Sequence, residues 1–275
     1  MYLSHKIRAT VVSVLKKIFK KLGIGITTYA TLVDLEAKSV NKSNQDFNFI
    51  RVLNLVNYQK TLELLDKSTS QFRQDLFVLN ETKFKRNGYF VEFGATNGLD
   101  KSNTYLLEKE YSWIVILAEP ARVWEKELRE NRPNAAVETL CVWNESNSKL
   151  TFNETELPEL STLDTFTHQD MHKDNRILGK KYEVKTISLL DLLRKHKAPQ
   201  YIDYLSIDTE GSEFEILEAF DFNEYTFGVI TIEHNYTFRR DMIFDLLTRN
   251  GYRRKYEEVS NVDDWYIKVQ DTSAH

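Results

Sequence analysis

Residues able to do chemistry stand where runs of apolar residues end. Tyr89–Phe93, which contains Glu92, leads into Gly94-Ala95-Thr96-Asn97-Gly98. Trp113–Ala118 stops at Glu119-Pro120, Tyr201–Ile207 at Asp208-Thr209-Glu210-Gly211, and Phe227–Ile232 at Glu233-His234-Asn235. The glycines after the first run allow the backbone to approach a ligand closely and leave amide groups free to bind it. Glu119 follows Gly98 by 21 residues, the place of an acid that takes both ribose hydroxyls of a nucleoside. Together the two features describe a site for a nucleoside-bearing cofactor. The competing reading is a plain β-turn followed by a chance acid.

The spacing narrows the cofactor. A pyrophosphate site uses G-x-G-x-x-G, whereas here the pattern is G-x-x-x-G with Thr96 at the middle position and Asp100 opening the next helix. An acid beside a pyrophosphate is unfavourable, but it suits a sulfonium with its amino-acid tail. Glu92 can likewise pair with a cationic cofactor.

The two later strand ends would supply the reaction. Methyl transfer from a sulfonium is an in-line displacement, so the protein must align an acceptor oxygen and take its proton. His234 is one candidate base, since imidazole titrates near neutrality; a hydrogen-bonded scaffold histidine is the bland alternative. In a second reading Asp208 and Glu233, or Asn235, hold a divalent cation such as Mg2+ that acidifies the acceptor hydroxyl. Ser212 and Glu215 are spaced as a capping box, and acids at 213 and 215 offset the dipole of a helix start without any further role. His168, Asp170, His172 and Asp174 have a spacing that can bind metal, but a lid bracketed by Pro158 and Gly179 is the better reading.

These residues need a frame that brings strand ends together. Strands predicted at 89–93, 113–118 and 136–143 alternate with helices at 103–111 and 121–131. After a polar segment the alternation resumes with a helix near 189–193, a strand at 201–207, a helix at 213–220, a strand at 227–232 and a helix at 239–250. Strands at 252–259 and 265–269, plausible as an antiparallel pair, close the series. The alternation predicts an α/β fold, a doubly wound and mostly parallel sheet, whose ligands sit beyond the carboxyl ends of its strands. Residues 1–80 read as a helical N-terminal extension, residues 81–270 as the catalytic domain, and residues 144–183 as a lid-like insert shaping an acceptor pocket.

Composition sets the outer limits. The 275 residues carry a formal net charge of −4, so no overall attraction to nucleic acid exists. The single cysteine, Cys141, rules out a disulfide framework and a multi-cysteine zinc site. No run approaches the roughly 20 apolar residues that span a bilayer, and the short stretch Ala9–Leu15, followed by Lys16-Lys17, does not read as a signal peptide. A cytoplasmic enzyme is expected. Val11, Val14, Leu15, Ile18 and Leu22 recur at helical spacing among lysines, which suits either a solvated helix or an amphipathic helix on an anionic membrane surface.

The sequence resembles the FkbM family of methyltransferases over about residues 71–269. The resemblance is carried by Tyr89–Gly98, Asn103-Thr104-Tyr105-Leu106-Leu107-Glu108, Leu117-Ala118-Glu119-Pro120, Tyr204–Glu213 with its Asp-x-Glu-Gly-x-Glu block, and Ile232-Glu233-His234-Asn235. It implies a Rossmann-like sheet of the class I methyltransferase type, S-adenosylmethionine as donor, and O-methylation, often of sugars in glycans or natural products. It gives cofactor-binding roles to Glu92, Gly94, Asn97, Gly98 and Glu119; Ala95, Asn103, Pro120, Val142 and Asp208 are expected to join them at the cofactor, and His234, Asp208 and Glu210 are the expected catalytic residues. The expected partner is a small-molecule or glycan hydroxyl acceptor. Rivals are a methyltransferase acting on another acceptor, a nicotinamide-dependent oxidoreductase, and a non-catalytic protein that binds a partner or membrane through its basic N-terminus. An amine-directed nucleic-acid enzyme would be expected to carry an Asp/Asn-Pro-Pro-aromatic loop, which is missing here.

Overall fold

The computed structural model describes residues 42–53 and 57–269, and the basic N-terminal segment discussed above lies outside them. The chain forms two compact units, residues 1–48 and 49–275. Of the first, residues 42–48 are described and are helical. The second begins well before the boundary expected at residue 80. Helices α1 (Tyr58–Leu64) and α2 (Gln74–Glu81) belong to it, because Leu64, Leu76, Phe77, Val78 and Leu79 are all buried in its core.

The second unit is built on a seven-stranded sheet. Its strands are β1 (Tyr89–Phe93), β2 (Ile114–Ala118), β3 (Ala136–Glu138), β8 (Tyr201–Ile207), β9 (Thr226–Glu233), β10 (Tyr252–Lys255) and β11 (Asp263–Lys268). They lie in the order β3-β2-β1-β8-β9-β11-β10. All neighbours are parallel except β11, which runs antiparallel to both β9 and β10. Strand order reverses between β1 and β8, and that reversal opens a crevice at the carboxyl ends.

Side-chain alternation explains why both faces are covered. Val91, Phe93, Ile116 and Ala118 point into one core with Leu192, Leu193, Phe214, Leu217, Ile243 and Leu247. These come from helices α6 (Leu189–Lys195), α7 (Glu213–Glu218) and α8 (Arg239–Arg249). Phe90, Val115 and Leu117 face the other core with Phe77, Leu106, Leu107 and Leu128, from α2, α3 (Tyr105–Tyr111) and α4 (Glu125–Asn131). Continuous apolar strands are therefore required by burial on two sides.

Three expected elements differ. The closing strand foreseen over 252–259 ends at Lys255, where Tyr256 turns left-handed (φ +57°), and Glu257–Ser260 is helical. The strand foreseen over 136–143 is split: β3 ends at Glu138, and Cys141–Trp143 (β4) enters a second sheet. That sheet, ordered β4-β7-β5-β6, includes Lys149–Glu154 (β5), Thr162–Leu163 (β6) and Lys180–Ser188 (β7). The insert is thus a folded subdomain, with its own small core of Ala121, Cys141, Phe152, Leu163, Phe166 and Val184. Its polar surface residues hide this, since β5 and β7 bury only two and three of their residues, Asn153 and Thr186 among them. Helix α5 (Lys173–Arg176) and the last short helix α9 (Glu257–Ser260) complete the elements used below. No described helix is long and apolar enough to cross a membrane.

Candidate functional site

A cavity of about 470 Å³ opens at the carboxyl ends of β1, β2, β8 and β9 and is roofed by the insert. It is lined at one end by Glu92, Gly94–Asn97, Asn103, Glu119, Pro120 and Val142, and at the other by Asp208, Glu210, Glu233, Asn235 and Asp263.

The first end is an ordered loop. Glu119 is buried, its two carboxylate oxygens accepting hydrogen bonds from the backbone N–H of Thr96 (2.9 Å) and of Ala121 (2.8 Å). Burial outweighs these bonds and pushes its carboxyl up to about 7. Glu92 accepts from the Asn103 N–H (3.1 Å) and the Thr104 hydroxyl (2.6 Å), so it fixes the start of α3. Asn97 caps the turn through the N–H groups of Leu99 and Asp100. Beside this end Cys141, Val142, Phe152 and Trp124 form an apolar wall; burial raises the Cys141 thiol to about 12, so it is no nucleophile.

The glycines make room for neighbouring parts of the chain. A Cβ on Gly94, at φ +72°, would lie 1.7 Å from the carbonyl oxygen of Asp208, and one on Gly98, at φ +75°, would lie 2.6 Å from Leu128 and 2.7 Å from Arg132. They permit close packing of β1 on β8 and of the loop on α4; Gly94 also lines the cavity, and Gly98 does not. Arg132, which sequence reasoning missed, is fully buried: it pairs with Glu108 and donates to the Gly98 carbonyl (3.0 Å) and the Thr104 hydroxyl (3.2 Å).

The second end concentrates carboxylates. Oxygens of Asp208, Glu210 and Glu233 all lie within 4.8 Å of one another, the one such group among the described residues that could hold a metal ion. Asn235 donates its amide to Glu233 (2.8 Å) and to Glu210 (3.3 Å). Arg176, carried by α5 of the insert and also missed from the sequence, donates to Glu210 (2.7 Å) while both Asp170 oxygens hold its other arm. Asp208 and Glu233 are within hydrogen-bonding reach, and burial raises both carboxyls. Two buried carboxyls so close share a proton rather than both ionising.

His234 is elsewhere, which corrects the expectation that it is the base. It does not line the cavity. Its Nδ1 accepts from the Tyr236 N–H (3.0 Å) and its Nε2 lies 3.7 Å from Asp264 on the far side of β9. Strand alternation is the reason: Glu233 and Asn235 face the cavity, so His234 cannot. Burial lowers its pKa, as for a scaffold histidine. The capping box also fails. Ser212 gives its hydroxyl to Thr209, Glu213 accepts from the N–H groups of Thr209 (2.9 Å) and Gly211 (3.0 Å), and Glu215 pairs with Arg239. Of the polar quartet in the insert, His172 lines the cavity and Asp170 is taken by Arg176.

Asp263, from antiparallel β11, also reaches the cavity and accepts from Gln74 (2.6 Å). Burial raises its carboxyl from 3.8 to about 7. The folded state therefore keeps a proton that the unfolded chain releases, and its contribution to stability is full below pH 3.8 and lost as pH rises through 7. Asp263→Asn should be more stable than the wild type at pH 8.5, by on the order of 3–4 kcal/mol. In urea unfolding the two curves should converge towards pH 4. A constant difference across that range would mean that Asp263 is not held protonated.

A family model described as the FkbM methyltransferase domain matches residues 92–254. No curated protein matches the chain. Among solved structures, the chain is similar to a precorrin-6y C5,15-methyltransferase from Geobacter metallireducens GS-15 (11% identity, 70% of this chain and 85% of that one, TM-score 0.37). It is similar also to a TehB-like SAM-dependent methyltransferase from Corynebacterium glutamicum (8%, 78% and 97%, 0.38). A third is a ribosomal protein L11 methylase from Lactobacillus delbrueckii subsp. bulgaricus (9%, 71% and 78%, 0.37).

Proposed function

The chain belongs to the FkbM methyltransferase family and is an S-adenosylmethionine-dependent methyltransferase; from that premise we propose that it methylates a hydroxyl group of a sugar or glycan. The observation that carries the acceptor reading is the Asp208–Glu233 pair. One carboxylate of a proton-sharing pair is a base poised to take a hydroxyl proton, and its neighbour keeps the charge in place. Sugars present several hydroxyls together, and the carboxylate and amide groups of Glu233, Asn235 and Asp263 suit them as hydrogen-bond partners.

In this reading the cofactor supplies an electrophilic methyl group, and everything else falls to the chain. Glu119 would accept from the ribose hydroxyls, Val142 and Phe152 would pack on the base, and Gly94 to Asn97 with Asn103 would hold the amino-acid end, all of them lining the cavity. The fit has a specific sign: Asn103 Oδ1 is buried without a hydrogen-bond partner while its amide nitrogen donates to Ser206 (3.2 Å), so a donor from a ligand would satisfy it. The insert excludes water from the reacting end. A magnesium ion held by Asp208, Glu210 and Glu233 is the second reading, favoured by their mutual distances; it requires that a chelator abolish turnover, whereas the carboxylate base requires that it not.

Calorimetry with S-adenosylhomocysteine tests the cofactor end. Glu119→Ala removes the acceptor of both ribose hydroxyls and should weaken binding by about 1–3 kcal/mol, roughly five- to over a hundredfold. Unchanged affinity in the folded variant would remove Glu119 from the site. Labelled methyl transfer to a panel of neutral oligosaccharides, read by mass spectrometry, tests the acceptor.

A further inference from the structure

The cavity is charged far out of balance. Among the described residues eight carboxylate side chains line it, against one lysine and one histidine. Part of this charge is answered locally: Arg176 pairs with Glu210, Arg132 acts on Glu92, and Lys101 lies 3.8 Å from Glu159 at the rim. Among the described residues no cation lies within ion-pair distance of Asp208 or Glu233, and Lys101 and His172 reach Asp208 only through longer-range attraction. The pair thus faces the cavity without a countercharge among the described residues. Independently, the orphaned Oδ1 of Asn103, less than a tenth exposed, lines the same cavity and lacks a donor. A buried acceptor without a partner and carboxylates without a cation have one common remedy, a ligand that brings N–H donors and positive charge.

We propose that the Asp208–Glu233 pair makes this cavity a charge filter, which binds S-adenosylmethionine more tightly than its own product S-adenosylhomocysteine. This rests on the reading of the cavity as the cofactor site. The two ligands share the adenosine, the ammonium and the carboxylate, so Glu119 and Asn103 treat them alike. They differ at sulfur, a cationic sulfonium in one and a neutral thioether in the other.

The reaction removes both charges at once. The methyl carbon–sulfur bond breaks with its electron pair left on sulfur, and the acceptor oxygen forms the new bond to carbon. The hydroxyl proton passes to the carboxylate pair. Before the step the cavity holds a sulfonium against a carboxylate; after it, a thioether beside a neutral pair. When that proton escapes to solvent, the restored carboxylate faces a ligand that no longer answers it. Product would leave for an electrostatic reason, and fresh cofactor would be drawn in.

The test is calorimetry on the full chain, with a chelator present so that no cation neutralises the cluster. Three ligands are compared: S-adenosylmethionine, S-adenosylhomocysteine, and sinefungin, whose amine carries the positive charge without a transferable methyl. The two cationic ligands should bind the wild type at least tenfold more tightly than S-adenosylhomocysteine. Glu233→Gln should bring that ratio to within threefold, with affinity for S-adenosylhomocysteine itself little changed, and Asp208→Asn should do the same should the first variant not fold. Damage to the fold alone would weaken all three ligands together and leave the ratio intact. Equal binding of the three by the wild type, or a ratio that survives both substitutions, would overturn the inference while the cofactor site stands. If none bound, the cofactor site itself would fall, and the filter with it.

Discussion

Glu233→Gln is expected to lower methyl transfer by 10²–10⁴-fold, the usual loss when a positioned base is removed. Asp208→Asn should have an effect of the same size. The double variant should be little worse than either single one, because the two carboxyls share one proton and act as a unit. His234→Ala, by contrast, should leave turnover within a few-fold of the wild type, since its ring is packed against Tyr236 and Asp264 rather than facing the cavity. The measurement is initial-rate transfer of label from S-adenosylmethionine to an acceptor found in the oligosaccharide panel, with S-adenosylhomocysteine affinity as the control for folding. Turnover of Glu233→Gln within threefold of the wild type would remove the pair from the chemistry. A collapse of activity in His234→Ala, with its melting temperature intact, would restore the histidine to it.

Arg132→Ala should be the most damaging change outside the cavity. The guanidinium is fully buried, pairs with Glu108 and holds both the Gly98 carbonyl and the Thr104 hydroxyl, so its loss leaves buried Glu108 only the partly exposed Lys109, 3.6 Å away, and frees the loop. Breaking a buried ion pair on one side costs about 3–5 kcal/mol, and for a domain of this size that corresponds to a fall of roughly 10 °C in melting temperature. Removing the Glu108 charge should recover part of the loss, so Arg132→Ala combined with Glu108→Gln should be more stable than Arg132→Ala alone. Urea unfolding of the three proteins decides it. A loss below 1 kcal/mol in the single variant would mean that water replaces the guanidinium and that the loop is held by other contacts.

Much of this protein was legible before any coordinates because the information was local. Period-two burial and unbroken apolar runs mark strands covered on both faces, and β1, β2, β8 and β9 lie where those runs lie. The antiparallel closing pair, the helix from Arg239, and the position of Glu119 at the end of β2 follow from turn residues and spacing alone. Tertiary structure decided three things that spacing does not encode. Which face of a strand looks into the cavity depends on how the sheet is packed: Glu233 and Asn235 line it, so alternation leaves His234 on the other face, beside Tyr236 and Asp264. What the glycines make room for depends on neighbours brought in by the fold, Asp208 against Gly94 and Arg132 against Gly98. The charge of the reacting end was set last, by Arg176 from the insert and Asp263 from an antiparallel strand. Their sequence surroundings are those of ordinary surface polar residues, and only burial against distant carboxylates gives them a role, because a charge acquires its energy from what the fold places beside it.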